Sequence, residues 1–256
     1  MKLTFLGTGT SQGIPVIGCP CAVCHSEDPR DRRLRSSIHV ESDGFHLQVD
    51  TPPEFRLQVL AADILRVDAL FVTHTHADHI FGLDDVRGFT DRQRAPIPVY
   101  GSSSCMEHLR CVFSYIFDPP IPGTSRPHIE LHPIEGAVLS GPFRVVPLPV
   151  EHGPDTVYGY RLDAAGRALA YIPDCHHIPP STLEQLSSLD VMILDALRPS
   201  PHPTHLSLPE SLALLARIGA RRSFVTHLCH RLGHAETERQ LPSGVEIPWD
   251  GLAVQV

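Results

Sequence analysis

The chain has 256 residues, 42% of them hydrophobic and 20% charged, which suits a globular protein with room for one large domain or two small ones. A formal net charge of −8 argues against a broad basic surface that coats nucleic acid. No apolar run approaches the ~18–20 residues needed to span a bilayer.

Met1-Lys2-Leu3-Thr4-Phe5-Leu6-Gly7 lacks a secretory h-region and cleavage site, so the expectation is a cytoplasmic protein. Residues 3–6 read as a strand. Gly7-Thr8-Gly9-Thr10-Ser11-Gln12-Gly13 then form a glycine-rich turn. No Lys-Ser/Thr follows as in a P-loop, so the turn is read as backbone passing close to a site.

Gly18-Cys19-Pro20-Cys21-Ala22-Val23-Cys24 holds three of the seven cysteines; the others, Cys105, Cys111, Cys175 and Cys229, are scattered. An odd, unevenly spaced set is not a disulfide framework. The cluster suits a knuckle around a tetrahedral ion, which takes four S or N ligands and so needs one from elsewhere. Arg30, Arg32, Arg33 and Arg35 read as a solvated face, with a rim that attracts an anionic substrate as the alternative.

Residues 37–42 and 45–49 alternate around Asp43-Gly44, a hairpin signal. Asp50, at the strand end, either orients a ligand histidine or belongs to the turn alone. Thr51-Pro52-Pro53-Glu54 has the form of a capping box opening a helix with Phe55, Val59 and Ala62 on one face. The apolar stretch Asp68 to Val72 reads as a buried strand. It runs straight into Thr73-His74-Thr75-His76-Ala77-Asp78-His79, with three imidazoles and one carboxylate within six residues.

Ile80 to Val86 reads as a short helix and 97–100 as a strand. Ser104 to Ile116 reads as an amphipathic helix with Cys105, Leu109, Val112, Phe113 and Ile116 at helical spacing, which makes Cys105 and Cys111 core or incidental. The proline-rich stretch 117–127 reads as a loop over the site mouth. Strands follow at Phe143–Val150, Arg167–Ile172, Asp190–Leu194 and Ser223–Val225. Directly after them come Glu151-His152, Pro173-Asp174, Asp195 and Thr226-His227. Capping boxes at Ser181-Thr182-Leu183-Glu184 and Ser207-Leu208-Pro209-Glu210 predict helices, the second with Leu208, Leu212 and Leu215 inward and Gly219 as its C-cap.

Four strand ends thus carry His74, His76, Asp78, His79, His152, Asp174 and His227, seven ligands and too many for one ion. Two cations repel, so a carboxylate between them is wanted. Asp174, on a separate strand, is the natural bridge.

The motif Thr-His74-x-His76-x-Asp78-His79, with His152, Asp174 and His227 downstream, resembles the metallo-β-lactamase superfamily over essentially the whole chain. The resemblance implies an α/β fold of the αββα sandwich type, two mixed sheets flanked by helices, as a single domain over 1–256. It implies one metal on His74, His76 and His152, a second on Asp78, His79 and His227, and Asp174 between them. The donor set suits zinc, manganese or iron.

Cys19-x-Cys21-x-x-Cys24 after the Gly-Thr-Gly-Thr-Ser-Gln-Gly-x-Pro start resembles the PhnP-type cyclic-phosphate phosphodiesterases. That resemblance implies a structural zinc in the knuckle at 18–25, completed from 227–230 by His230, with Cys229 as a competing ligand. It also implies His205 as a proton donor; His176, His177 and His202 keep a solvated reading. The expected activity is hydrolysis of a small anionic phosphodiester, of cyclic sugar phosphate or nucleotide type, through a hydroxide held by a dinuclear metal centre. No membrane or extended nucleic acid partner is expected, and a homodimer is compatible with the sequence. PqqB proteins share a similar cysteine cluster. The competing readings are a PqqB-like role in cofactor biosynthesis, a thioester hydrolase, a tRNase Z-like nuclease, and a zinc protein whose metals only hold the fold.

Overall fold

The computed structural model describes every residue except Pro120 and Pro122. Those two belong to the proline-rich segment expected at 117–127 and lie outside the described residues. The first half runs β1 (Lys2–Gly7), β2 (Ser37–Ser42), β3 (Phe45–Val49), α1 (Phe55–Ala61), β4 (Ala69–Phe71), α2 (Ala77–Ile80), α3 (Arg87–Gln93), β5 (Ile97–Gly101), α4 (Ser103–Val112), α5 (Ser114–Phe117) and β6 (Ile129–Pro133). The second half runs β7 (Val138–Ser140), β8 (Phe143–His152), β9 (Asp155–Ala164), β10 (Arg167–Ile172), α6 (Pro180–Glu184), β11 (Val191–Asp195), α7 (Leu208–Ile218), β12 (Arg222–Thr226), α8 (His234–Gln240), β13 (Val245–Glu246) and β14 (Ala253–Gln255).

Two seven-stranded sheets result, ordered β14-β1-β2-β3-β4-β5-β6 and β13-β12-β11-β10-β9-β8-β7. Each is mixed: strands joined by hairpins pair antiparallel, as do β1 and β2 across a long loop, and strands joined through α-helices pair parallel. This is the expected αββα sandwich.

The apolar run at β4 shows why the layers form. Ala69 and Phe71 face the core between the sheets, while Leu70 and Val72 face the helix layer outside. A strand covered on both faces must be apolar at every position. Phe71 packs edge-on to Tyr160 of the opposite sheet at 5.3 Å, and Phe5 meets Phe224 at 5.0 Å. Emptying such a position costs about 3–5 kcal/mol.

The hairpin at 37–49 forms as expected. Asp43 (φ 49°) and Gly44 (φ 73°) both take the left-handed conformation that a two-residue hairpin turn requires. At Gly7 a Cβ would stand 1.9 Å from the Arg35 carbonyl oxygen, so the glycine turn does let two backbones meet closely.

The expected capping boxes part company. Ser207 and Glu210 form theirs at α7, the Ser207 amide donating to Glu210 Oε2 at 2.8 Å. At α1 none forms, because the helix starts at Phe55 with Glu54 itself as N-cap, and the Glu54 carboxylate pairs with Arg35. At α6 the helix begins two residues earlier, on Pro180 with Pro179 as N-cap, and Thr182 Oγ1 instead donates to the Pro149 carbonyl at 2.6 Å. The helix expected at 80–86 is split between the end of α2 and a 3-10 turn at Leu83–Val86. The one expected at 104–116 breaks at Phe113 into α4 and α5, which leaves Val112 exposed.

The basic cluster is not a uniform solvated face. Arg33 is fully buried, its guanidinium donating to Thr8 Oγ1 (2.6 Å) and the Pro248 carbonyl (2.7 Å). Arg30 pairs with Asp28, and Arg35 with Glu54.

Candidate metal centre

The C-terminal ends of β3, β4, β8, β10, β11 and β12 open onto one rim. β4 stops at Phe71, and the chain passes through Thr73, His74 and His76 into α2, which carries Asp78 and His79. β8 ends on His152, Asp174 follows β10, and His227 follows β12. Strands hold these groups rigidly, and the loops beyond them leave space.

The seven residues meet as two groups that share Asp174. Ligand atoms of His74, His76, His152 and Asp174 all lie within 4.8 Å of one another, as do those of Asp78, His79, Asp174 and His227. In the first group His74 Nε2 is 2.9 Å from His76 Nδ1 and 3.4 Å from Asp174 Oδ2. In the second, His79 Nε2 is 3.1 Å from Asp174 Oδ2 and 3.4 Å from Asp78 Oδ2, while His227 Nε2 is 3.2 Å from Asp174 Oδ1 and 3.6 Å from Asp78 Oδ2.

Ligands at ~2.1 Å from a tetrahedral ion lie ~3.4 Å from one another, the spacing found here. The buried atoms His79 Nε2, His227 Nε2 and Asp174 Oδ1 have no hydrogen-bond partner among the described residues. Buried polar atoms without partners are costly. These converge on shared points, so the donor set fits a pair of divalent cations.

Three of the histidines are held from behind. His79 Nδ1 donates to Asp50 Oδ2 at 2.7 Å, and His152 Nδ1 donates to the Thr204 carbonyl at 2.8 Å. Thr73 Oγ1 lies 3.1 Å from His74 Nδ1 and itself donates to Asp50 Oδ2 at 2.8 Å. Such contacts fix the ring tautomer and aim the other nitrogen at an ion. Asp50 was a candidate from its place at a strand end. Thr73 and Thr204 were not, since a hydroxyl or carbonyl in a loop gives no sequence signal of its own.

Around Asp174 and Asp78 the electrostatics favour added positive charge, whereas burial disfavours it on His74 and His152. Burial opposes ionisation of His79, but Asp174, Asp78 and Asp50 together raise its pKa well above the usual imidazole value. Burial would raise Asp174, yet His227 and His79 hold it well below the usual carboxylate range. Burial lowers His152 to about 4 and His74 well below its ordinary value.

His205 joins a third group with Asp195 and His227. Its Nδ1 is 2.8 Å from Asp195 Oδ2, and its ring stacks on His227 at 4.8 Å and lies 4.6 Å from His152. Burial lowers His205 to about 3 and raises Asp195 well above the carboxylate range. Asp195, which the sequence showed only as the residue after a strand, is thus the partner of His205.

The cysteine cluster closes on His230. Its Nδ1 lies 3.1, 3.4 and 3.7 Å from the sulfurs of Cys19, Cys21 and Cys24. Cys229 stands apart, its sulfur accepting from the Arg231 amide. The Cys24 amide, and then His230, lower the Cys21 thiol to about 6, while burial raises Cys24 to about 11. Between the two metal-fitting systems, the Leu228 backbone pairs with Thr8 and Thr10.

The family model described as a beta-lactamase superfamily domain matches residues 46–228, the span from β3 through His227. The chain belongs to the metallo-β-lactamase superfamily. Among solved structures, it resembles a diphosphatase from the PhnP family with 42% identity and a TM-score of 0.92, covering 100% of this chain and 97% of that one. The expected likeness to the PhnP group is therefore borne out. Zinc-bound PqqB from Methylobacterium extorquens matches at 18% identity and a TM-score of 0.78, covering 100% of both chains, which shows a shared fold. An octanoyltransferase of Porphyromonas gingivalis is 34% identical over 261 residues. That alignment takes in 98% of this chain and 51% of the relative, so the chain spans about half the length of that protein. Among the described residues of this superfamily member, no helix is long and apolar enough to cross a membrane.

Proposed function

We propose that the chain is a metal-dependent phosphodiesterase acting on a small phosphodiester, with residues 1–256 working as one hydrolase domain. The observation that carries the reading is Asp174, shared by two clusters of His and Asp ligand atoms, with its Oδ1, His79 Nε2 and His227 Nε2 buried without hydrogen-bond partners among the described residues. The full-length likeness to a PhnP-family diphosphatase supports chemistry at phosphorus. His74, His76 and His152 would hold one ion, Asp78, His79 and His227 the other, and Asp174 both. A bound cation pair supplies a nucleophile at neutral pH and neutralises charge developing on phosphate oxygens. Cys19, Cys21, Cys24 and His230 would hold a structural zinc.

The residues behind the ligands keep the imidazoles aimed: Asp50 for His79, Thr204 for His152, Thr73 for His74. In this reading His205 donates to the leaving oxygen as an imidazolium: burial alone keeps the ring neutral, and the bound phosphate anion together with Asp195 would supply the negative charge that lets it hold the second proton. Asp195 anchors its Nδ1, which leaves Nε2 on the opposite ring edge. His205→Ala then keeps its metals and slows substrates with poor leaving groups most; equal slowing of good and poor leaving groups refutes the assignment.

The 42% identical relative is a diphosphatase, which favours a diphosphate linkage as the second reading. Metal-reconstituted protein is tested on a phosphodiester, a phosphomonoester, a diphosphate diester and a thioester. Turnover of the phosphodiester supports the reading, turnover of the thioester alone refutes it, and preference for the diphosphate selects the second.

A further inference from the structure

The segment that carries His74 and His76 is gripped from the opposite sheet. β4 ends at Phe71, and Val72 and Thr73 lead directly into His74. Across the core the fully buried Tyr160 of β9 donates its hydroxyl to the Val72 carbonyl at 2.7 Å. Two residues back on the same strand, the Tyr158 amide donates to the Thr73 carbonyl at 3.1 Å. Both bonds start in the second sheet and land on the two residues just before His74. Val72 is itself fully buried, and among the described residues no backbone amide donates to its carbonyl. The phenol therefore supplies a partner to a carbonyl that would be costly to leave without one.

The strand that makes this grip is also the neighbour of His152. β9 pairs with β8 through to the register of His152 against Asp155. It therefore ties the strand bearing His152 to the segment bearing His74 and His76, which belongs to the other sheet. His79 has a separate anchor, since it sits on α2 and Asp50 of the first sheet holds its Nδ1. The Tyr160 ring would keep its place without the hydroxyl, because it packs edge-on to Phe71 at 5.3 Å. A phenylalanine would fill the same space and avoid desolvating a hydroxyl, so the polar atom acts through the bond it makes.

We propose that Tyr160 is a positioning residue for the metal centre: its hydroxyl sets where His74 and His76 stand relative to His152, so that the three meet one ion. This rests on the metal assignments proposed above and adds a residue that touches neither ion nor substrate. The effect is selective, because the ion on Asp78, His79 and His227 draws no ligand from β8 and the cysteine knuckle draws none from either strand.

The test uses metal-loaded wild type, Tyr160→Phe and Val191→Ala. Val191 is a buried core residue at the far end of β11 from the rim, so its truncation controls for lost stability alone. The zinc-loaded proteins are titrated with a competing chelator, and the visible absorption of the cobalt-loaded proteins is recorded. In Tyr160→Phe one ion of the Asp174 cluster is expected to be held about tenfold more weakly, the equivalent of ~1.4 kcal/mol and the low end of what losing a contact behind a ligand costs. The cobalt absorption of that ion changes, while the knuckle ion, recognised by its thiolate-to-cobalt band, is held as in wild type. Val191→Ala keeps wild-type affinities and absorption. A Tyr160→Phe protein that matches wild type in both measurements overturns the proposal. Weakening shared equally by both cluster ions or by the knuckle ion, or reproduced by Val191→Ala, overturns it too. In those cases the loaded wild type leaves the metal assignments standing. Wild type that takes up no ion pair at the cluster overturns those assignments, and this proposal with them.

Discussion

On the buried carboxylate of Asp50 three donors converge: the Thr73 amide and hydroxyl, both at 2.8 Å, and His79 Nδ1 at 2.7 Å. Replacing one oxygen by an amide keeps the shape and takes away an acceptor. Asp50→Asn is therefore expected to lower metal affinity or kcat/KM by roughly 10–100-fold, as loss of such supporting contacts does elsewhere. Metal titration alongside kinetics checks it, and a variant matching wild type in both would exclude an orienting role. Asp50 and His227 hold left-handed backbone, φ 62° and φ 58°. Sequence gives no warning of this, since non-glycine residues adopt it only where the surroundings enforce it. The seven residues named in advance do converge, because His and Asp at strand ends are legible one by one. Their supports at Thr73 and Thr204 were not, because only the fold brings those atoms near.

A second residue-scale prediction concerns His39, buried in the hairpin and lowered to about 4 by that burial. In the unfolded chain it takes up a proton near pH 6.5. Between those two values the unfolded state binds more protons than the folded one, so stability rises with pH. The contribution is in place above about pH 6.5 and is lost as pH falls toward 4, up to about 3 kcal/mol in all. Relative to His39→Gln, the wild type should thus lose more stability on acidification. Urea unfolding of both proteins across pH 4.5–7.5 measures this, and parallel pH profiles would contradict it.

Among the elements, one four-residue pattern had two outcomes. Ser207 and Glu210 cap α7, whereas the matching pattern at Ser181 and Glu184 caps nothing, because Pro180 starts α6 earlier. Ser207→Ala should cost about 1 kcal/mol of stability, the usual value of a lost N-cap. Ser181→Ala, at an exposed position, should stay within about 0.5 kcal/mol of wild type. Chemical denaturation of the pair checks the contrast. The same dependence on context explains which strands could be read. β2, β3, β10 and the apolar β4 were legible from alternation, turn residues or continuous burial. β9 was not, although it pairs with β8 along its whole length. Its sequence carries Asp155, Gly159, Arg161 and Asp163, which local propensity counts against a strand. Gly159 is required by packing, since a Cβ there would come within 2.6 Å of the Ile172 side chain.

Across the whole molecule, the segment from Thr226 to His230 belongs to both metal-fitting systems. His227 closes the shared cluster, and His230, three residues on, closes the cysteine knuckle. Between them Leu228 is fastened by its backbone to Thr8 and Thr10, while Arg33 holds Thr8 through its side chain. The first strand, the cysteine knuckle and the Thr226–His230 loop are therefore one mechanical unit. On the metal assignments proposed above, losing the knuckle ion should loosen His227 although no residue of the cluster around Asp174 has changed. An ion at a thousand times its dissociation constant stabilises a fold by about 4 kcal/mol. For a chain of this length each kcal/mol moves Tm by roughly 2 °C, so Cys21→Ser should lower Tm by about 8 °C. It should also cut kcat/KM several-fold while the catalytic pair still loads. Elemental analysis separates the two losses, because on the proposed assignments one ion disappears and two remain. Full activity in a variant that has lost only the knuckle ion would show that the two centres share a loop without sharing a function.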